Sequence, residues 1–161
     1  MRCPWTSALN PSELRLQERL ARKLSESLDK AGYKTNVITI PKDSAEDQVV
    51  KSAMGNTNID GILSVNVLGR YLAAGPSTDY FPSVLVKVKQ TDPKSGSTIY
   101  EDSFSYGYAA PQMMTVHFAS DATYRFANID LLVADPAKTR EGLLAGIDAI
   151  VAQITADLKR N

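Results

Sequence analysis

Residues 83–106 read SVLVKVKQTDPKSGSTIYEDSFSY, and the fold turns on this stretch. Val84, Val86 and Val88 alternate with Leu85, Lys87 and Lys89, so the segment predicts a strand with one buried and one wet face. TDPKSGS (91–97) places Pro and Gly where a tight turn uses them. The return leg, Thr98 to Tyr108, puts Tyr100, Phe104, Tyr106 and Tyr108 on one face. Asp102 falls among these rings, which predicts a β-bulge or a wet edge at that point.

Working outward, DGILSVNVLGRYL (60–72) is a third strand, with Leu63, Val65, Val67 and Tyr71 on one face. YKTNVITI (33–40) reads as a strand closed by Pro41. Between these two, a short helix starting at Asp43 or Ser44 uses Val49, Val50, Ala53 and Met54, and MGNTN ends it. An N-terminal helix opens at NPSE, with Asn10 as N-cap, Pro11 in the first turn and Glu13 completing a capping box. Leu16, Leu20, Leu24 and Leu28 form its apolar stripe, and Gly32 stops it. The last helix is capped by Asp135, starts at Pro136, and carries Leu143, Leu144, Ile147, Ile150, Val151, Ile154 and Leu158 at helical spacing. Gly142 and Gly146 each weaken that helix by about 1 kcal/mol relative to Ala, which predicts a close approach of helix to sheet.

The expected order is therefore α-β-α-β-β-β-α in an α/β (α+β) fold. Helices pack on one face of a mostly antiparallel or mixed sheet, with an extra N-terminal strand as an alternative to this order. One domain spans 1–161, with 1–9 as a poorly ordered end or partial edge strand. Residues 109–134 read as an irregular insertion whose YRFANIDLLVA (124–134) makes one or two helical turns.

Composition excludes some functions. Lys plus Arg and Asp plus Glu number 18 each, so the chain lacks the basic excess with which nucleic-acid binders neutralise phosphates. The same zero net charge leaves little colloidal repulsion against self-association. Cys3 is the single cysteine and has no partner for an internal disulfide. No apolar run is long enough to span a bilayer. The start, MRCPWTSALN, lacks the apolar core of a signal peptide. Taken literally the chain is cytoplasmic, and membrane contact would come only through a leader or anchor outside it.

Catalytic patterns are missing as well. The sequence has no GxSxG elbow, phosphate loop, GxGxxG or HExxH. Cys3 and His117 are the only thiol and imidazole, too few for a metal site built on such ligands. Glu101 and Asp102 leave opposite faces of a strand and cannot share a proton. Asp130 and Asp135 are five apart, and Asp135 is already a cap. Arg15, Arg19, Arg22 and Lys23 are interleaved with Glu13, Glu18 and Glu26, as on a solvated helix face. No catalytic residue, metal or cofactor is expected.

Aromatic residues are more telling. Ten of the twelve lie between Tyr71 and Phe126. With the valines making the buried face, Tyr80, Phe81, Tyr106 and Tyr108 fall near the strand ends, where tyrosine suits an interface. The competing role is a structural wedge between the sheet and residues 109–134.

LARKLSESLDKAGY, NIDGILSVNV, VLVKVKQTDPKSGSTIY and the closing helix together resemble a group of small bacterial envelope proteins. These include the curli-secretion lipoprotein, the lipoprotein activators of penicillin-binding proteins, the Pel export lipoprotein and the N-terminal domain of the Tol-system periplasmic protein. The shared elements are a helix ending in Gly-aromatic, a strand opening after Asp60-Gly61, and a turn running Asp92 to Gly96. The resemblance covers roughly 14–108 and 136–158 and implies a non-enzymatic, periplasm-facing accessory or assembly role through a protein partner or self-association. Cys3 follows only Met-Arg, without a lipobox, so lipidation is not carried over to it. The rival expectation is a cytosolic small-ligand-binding domain or enzyme with a pocket near His117, Tyr124 and Arg125.

Overall fold

A computed structural model describes residues 14–40, 46–54, 58–107 and 116–160. Helix α1 is Leu16–Lys30 and α2 is Glu46–Ala53. Strands β1 (Ile62–Ala73), β2 (Tyr80–Thr91), β3 (Thr98–Gly107) and β4 (Val116–Phe118) follow. A 3₁₀ turn at Ala122–Tyr124, α3 (Ile129–Ala134) and α4 (Pro136–Arg160) complete the chain. The sheet runs β1-β2-β3-β4, antiparallel except for the parallel β3–β4 pair. This is an α+β fold with helices against a mixed sheet.

The opening hairpin forms as its alternation dictates. Val84 faces Tyr106, Val86 faces Phe104 and Val88 faces Asp102 across β2 and β3. Val84, Val86 and Phe104 are fully buried, as are Leu20, Ile147, Ile150 and Ile154 from the helices. Each such side chain contributes about 1.5–3 kcal/mol by leaving water. In the turn, the Asp92 carboxylate accepts from the Lys94 N–H at 2.8 Å and the Ser95 hydroxyl at 2.7 Å. Gly96 takes φ of 70°, where a Cβ would be strained.

α1 buries Leu16, Leu20, Leu24 and Leu28. Gly32 ends it at φ 99°, with the Tyr33 N–H bonded to the Leu28 carbonyl at 3.1 Å. Asp135 caps α4 by accepting the Lys138 N–H at 2.9 Å. α1 and α4 are tied together by a Lys23–Asp148 ion pair, a Thr155-to-Ser27 hydroxyl bond at 2.8 Å and a Tyr33 hydroxyl bond to the Leu158 carbonyl at 2.8 Å.

Glycines set the helix-to-sheet distance. A Cβ on Gly146 would stand 2.7 Å from the Tyr106 ring and 2.8 Å from a Val84 methyl. One on Gly142 would collide with the Tyr71 hydroxyl, and one on Gly69 in β1 with Leu16.

Three expectations are corrected. Residues 33–40 join no ladder, so the strand expected between the first two helices is not formed. The fourth strand is instead Val116–Phe118, inside the segment expected to be irregular, where it finds the free edge of β3. The register irregularity lies between Gln90 and Thr91 rather than at Asp102, whose carboxylate is satisfied by the Ser103 N–H at 2.7 Å. The Asn10 capping box, the start of α2 at Asp43 or Ser44, and residues 1–9 lie outside the described residues.

The glycine contacts predict that Gly146→Ala destabilises the fold by about 1–3 kcal/mol although alanine is the better helix former, because Tyr106 and Val84 are packed and cannot retreat. A lowered urea midpoint with unchanged slope checks this; a raised midpoint would show that the close approach is not limiting.

Candidate interaction surface

Strand alternation divides the sheet into two faces. Leu63, Val65, Val67 and Tyr71 of β1, the β2 valines, and Phe104 and Tyr106 of β3 turn toward α1 and α4. The opposite face carries Ser64, Asn66, Leu68 and Arg70 from β1, in register with Lys89, Lys87, Leu85 and Ser83 of β2. Beyond these lie Glu101, Ser103 and Ser105 of β3 and His117 of β4. Leu68 is 49% exposed and Ile99 50% exposed; Leu85 is half-buried between Leu68 and Ser105. Along the strands, the exposed Lys87 and Lys89, facing Ser103 and Glu101, separate the Leu68–Leu85 pair from Ile99.

The four aromatic residues expected to form a surface do not share one. Tyr106 is 5% exposed and belongs to the core, its hydroxyl accepting the Asp121 N–H at 3.3 Å. Its parity with Val84 and the opening left by Gly146 draw it under α4, so its assignment to an exposed interface is corrected. Tyr80 is half-buried and forms a backbone bridge with Phe126 through bonds of 2.7 and 3.1 Å. Phe81, on the opposite side of β2, lies under the Arg125 guanidinium at 4.6 Å, a cation–π contact. Tyr108 lies outside the described residues.

The rival pocket residues are also separated. His117 sits on the open face with Nδ1 2.9 Å from the buried Ser105 hydroxyl. Tyr124 packs toward Gly142 on the helix side, and Arg125 covers Phe81. A shallow hollow of about 250 Å³ beside Arg125 is lined by Phe126, Leu131 and Lys138 and includes neither His117 nor Tyr124. Among the described residues, no cluster of three His, Cys, Asp or Glu side chains could hold a metal ion. No helix among them is long and apolar enough to cross a membrane.

What the sequence did not reveal is a cluster of partly buried tyrosine hydroxyls under α4. The Tyr71 hydroxyl donates to the Thr139 carbonyl at 3.1 Å, and its ring meets Phe126 edge-on at 5.6 Å. Burial first, then the neighbouring Tyr106 and Tyr124 hydroxyls, hold its pKa well above the ordinary tyrosine value. Burial, then Asp157 and Asp102, does the same for Tyr100, which hydrogen-bonds Asp157 at 3.3 Å. The only signal in the sequence was the pairing of Tyr71 with a helical glycine, which one chain cannot register.

Comparison with family models, curated proteins and solved structures returns no match for this chain.

The tyrosines set an alkaline limit. Unfolded, they ionise near pH 10, whereas Tyr71 and Tyr100 in the fold keep their protons above that. Above about pH 10 the unfolded chain therefore binds fewer protons than the native one, so stability is complete below that pH and falls as pH rises. The urea midpoint is expected to drop between about pH 10 and 12, and Tyr71→Phe to flatten the drop; an identical profile in the variant would assign the loss elsewhere.

Proposed function

We propose that this chain is a non-catalytic accessory protein of the bacterial cell envelope, facing the periplasm, that holds a protein partner on the open face of its sheet. The observation that carries this reading is the in-register pair Leu68 and Leu85, apolar and in part exposed, on the face opposite the helices. Apolar side chains on a polar-rimmed sheet face suit recognition by shape and area. Lys87, whose register partners Asn66 and Ser103 are uncharged, adds a positive charge beside the pair that favours an acidic group on the partner, while Lys89 faces Glu101.

Supporting this choice over a ligand-binding role, His117, Tyr124 and Arg125 each engage a different neighbour and do not converge on a hollow. The envelope placement comes from the resemblance carried by Asp60-Gly61, the Asp92–Gly96 turn and the closing helix.

Photo-crosslinking in the source cells tests the reading. A crosslinker at Leu68 is expected to give one discrete protein adduct in the envelope fraction, while one at the exposed Arg22 of α1 gives none. Leu85→Asp is expected to reduce the adduct at least about tenfold, the effect of one apolar contact replaced by a desolvated charge. Equal labelling from Arg22, or adducts confined to cytosolic proteins, would overturn it.

A further inference from the structure

Among the described residues β1 is an edge strand, paired with β2 on one side. It runs twelve residues without proline and carries a single charge, Arg70. Soluble proteins usually blunt or cover an edge of this length. Among the described residues, the group that covers it is the Gln17 carboxamide. Its Nε2 donates to the Val65 carbonyl at 2.6 Å, and its Oε1 accepts the Val67 N–H at 3.0 Å.

That pair of bonds has the pattern of a parallel ladder. A residue of a parallel neighbour facing Asn66 would donate its own N–H to the Val65 carbonyl and accept the Val67 N–H on its own carbonyl. An antiparallel neighbour would spread the same two bonds over two residues. Gln17 therefore stands where one residue of a parallel strand would stand.

Burial points the same way. The inward row of β1, Leu63, Val65, Val67 and Tyr71, is only partly buried, while Val84, Val86 and Val88 on the adjacent strand are 0–1% exposed. The core layer ends one strand short.

The chain holds a segment of the right kind. Residues 33–40 join no ladder, hold the β-branched Thr35, Val37, Ile38, Thr39 and Ile40, and leave Val37 48% and Ile38 62% exposed. They enter at the end of the sheet where β1 begins. Tyr33 bonds the Leu158 carbonyl; the adjacent Asp157 accepts the Tyr100 hydroxyl; and Tyr100 faces Gln90, next to the Thr91 that pairs with Ile62. A strand laid down from that end runs parallel to β1. The connection, residues 41–61, contains α2 and exceeds the roughly dozen residues that a parallel crossover needs.

We propose that Lys34–Ile40 is a strap that closes onto β1 as a fifth, parallel strand, and that Gln17 is the latch occupying its hydrogen-bonding positions when the strap is open. Strap and latch compete for the Val65 carbonyl and the Val67 N–H. With the strap open, among the described residues Gln17 is what stands between this edge and an extended segment of another protein, the geometry of β-strand addition. Closure removes that option. The device is independent of partner binding on the open face.

Amide hydrogen exchange by NMR on the whole chain tests it, in the wild type and in Gln17→Ala, a change at an exposed side chain that leaves the core intact. Removing the latch is expected to raise protection of alternate amides in Lys34–Ile40 about tenfold, as the loss of two competing hydrogen bonds implies, and independently of protein concentration. Val37→Pro and Ile38→Pro, whose N–H groups face opposite sides, should differ, with only one of them abolishing the gain. Unprotected amides in Gln17→Ala would overturn the strap. Protection that grows with protein concentration would overturn it too, by showing that the edge takes a second copy instead.

Discussion

The structure depends on the approach of α4 to the sheet at Gly146. With no side chain at that position, the helix backbone settles against Val84 and Tyr106 at distances a Cβ would forbid. Gly142 does the same over Tyr71, and Gly69 lets Leu16 of α1 down onto β1. Two glycines in a 25-residue helix cost about 1 kcal/mol each in propensity. The offset is a dry layer in which Val84, Val86, Phe104, Ile147, Ile150 and Ile154 are wholly buried.

That close approach makes the molecule one-sided. Tyrosines that could have dressed a surface are drawn inward, and their hydroxyls are consumed by structure. Tyr71 bonds the Thr139 carbonyl, Tyr100 bonds Asp157, and Tyr106 accepts from Asp121. The opposite face is left to groups of opposite parity: Leu68, Leu85, Lys87 and Lys89. The period of two along each strand enforces the division, since a residue turned toward α4 is unavailable to the other face.

The two ends of the sheet are finished differently. β3 is covered by the short parallel strand Val116–Phe118, which places Val116 beside Phe104 and extends the core layer. Among the described residues, β1 has the Gln17 carboxamide at its centre and no strand on its outer side. A side chain can satisfy two backbone groups but cannot bury the neighbouring Leu63 and Val67, so that edge stays energetically incomplete.

Local chemistry was legible in the chain itself. The valine alternation, the Asp92–Gly96 turn, the leucine stripe of α1, the Asp135 cap and the glycines of α4 are each written within a few residues, because capping, turn geometry and amphipathicity act over that range. Only the tertiary structure decided which strand pairs with which. Residues 33–40 have strand character but no ladder, whereas Val116–Phe118, without a readable signature, has one; pairing depends on an edge brought near by the rest of the fold. The site followed the same rule. Tyr106 looked like surface because its sequence neighbours do not reveal that Gly146, forty residues on, leaves a space for its ring, and the open-face leucine pair became visible only once α1 and α4 had chosen the other side.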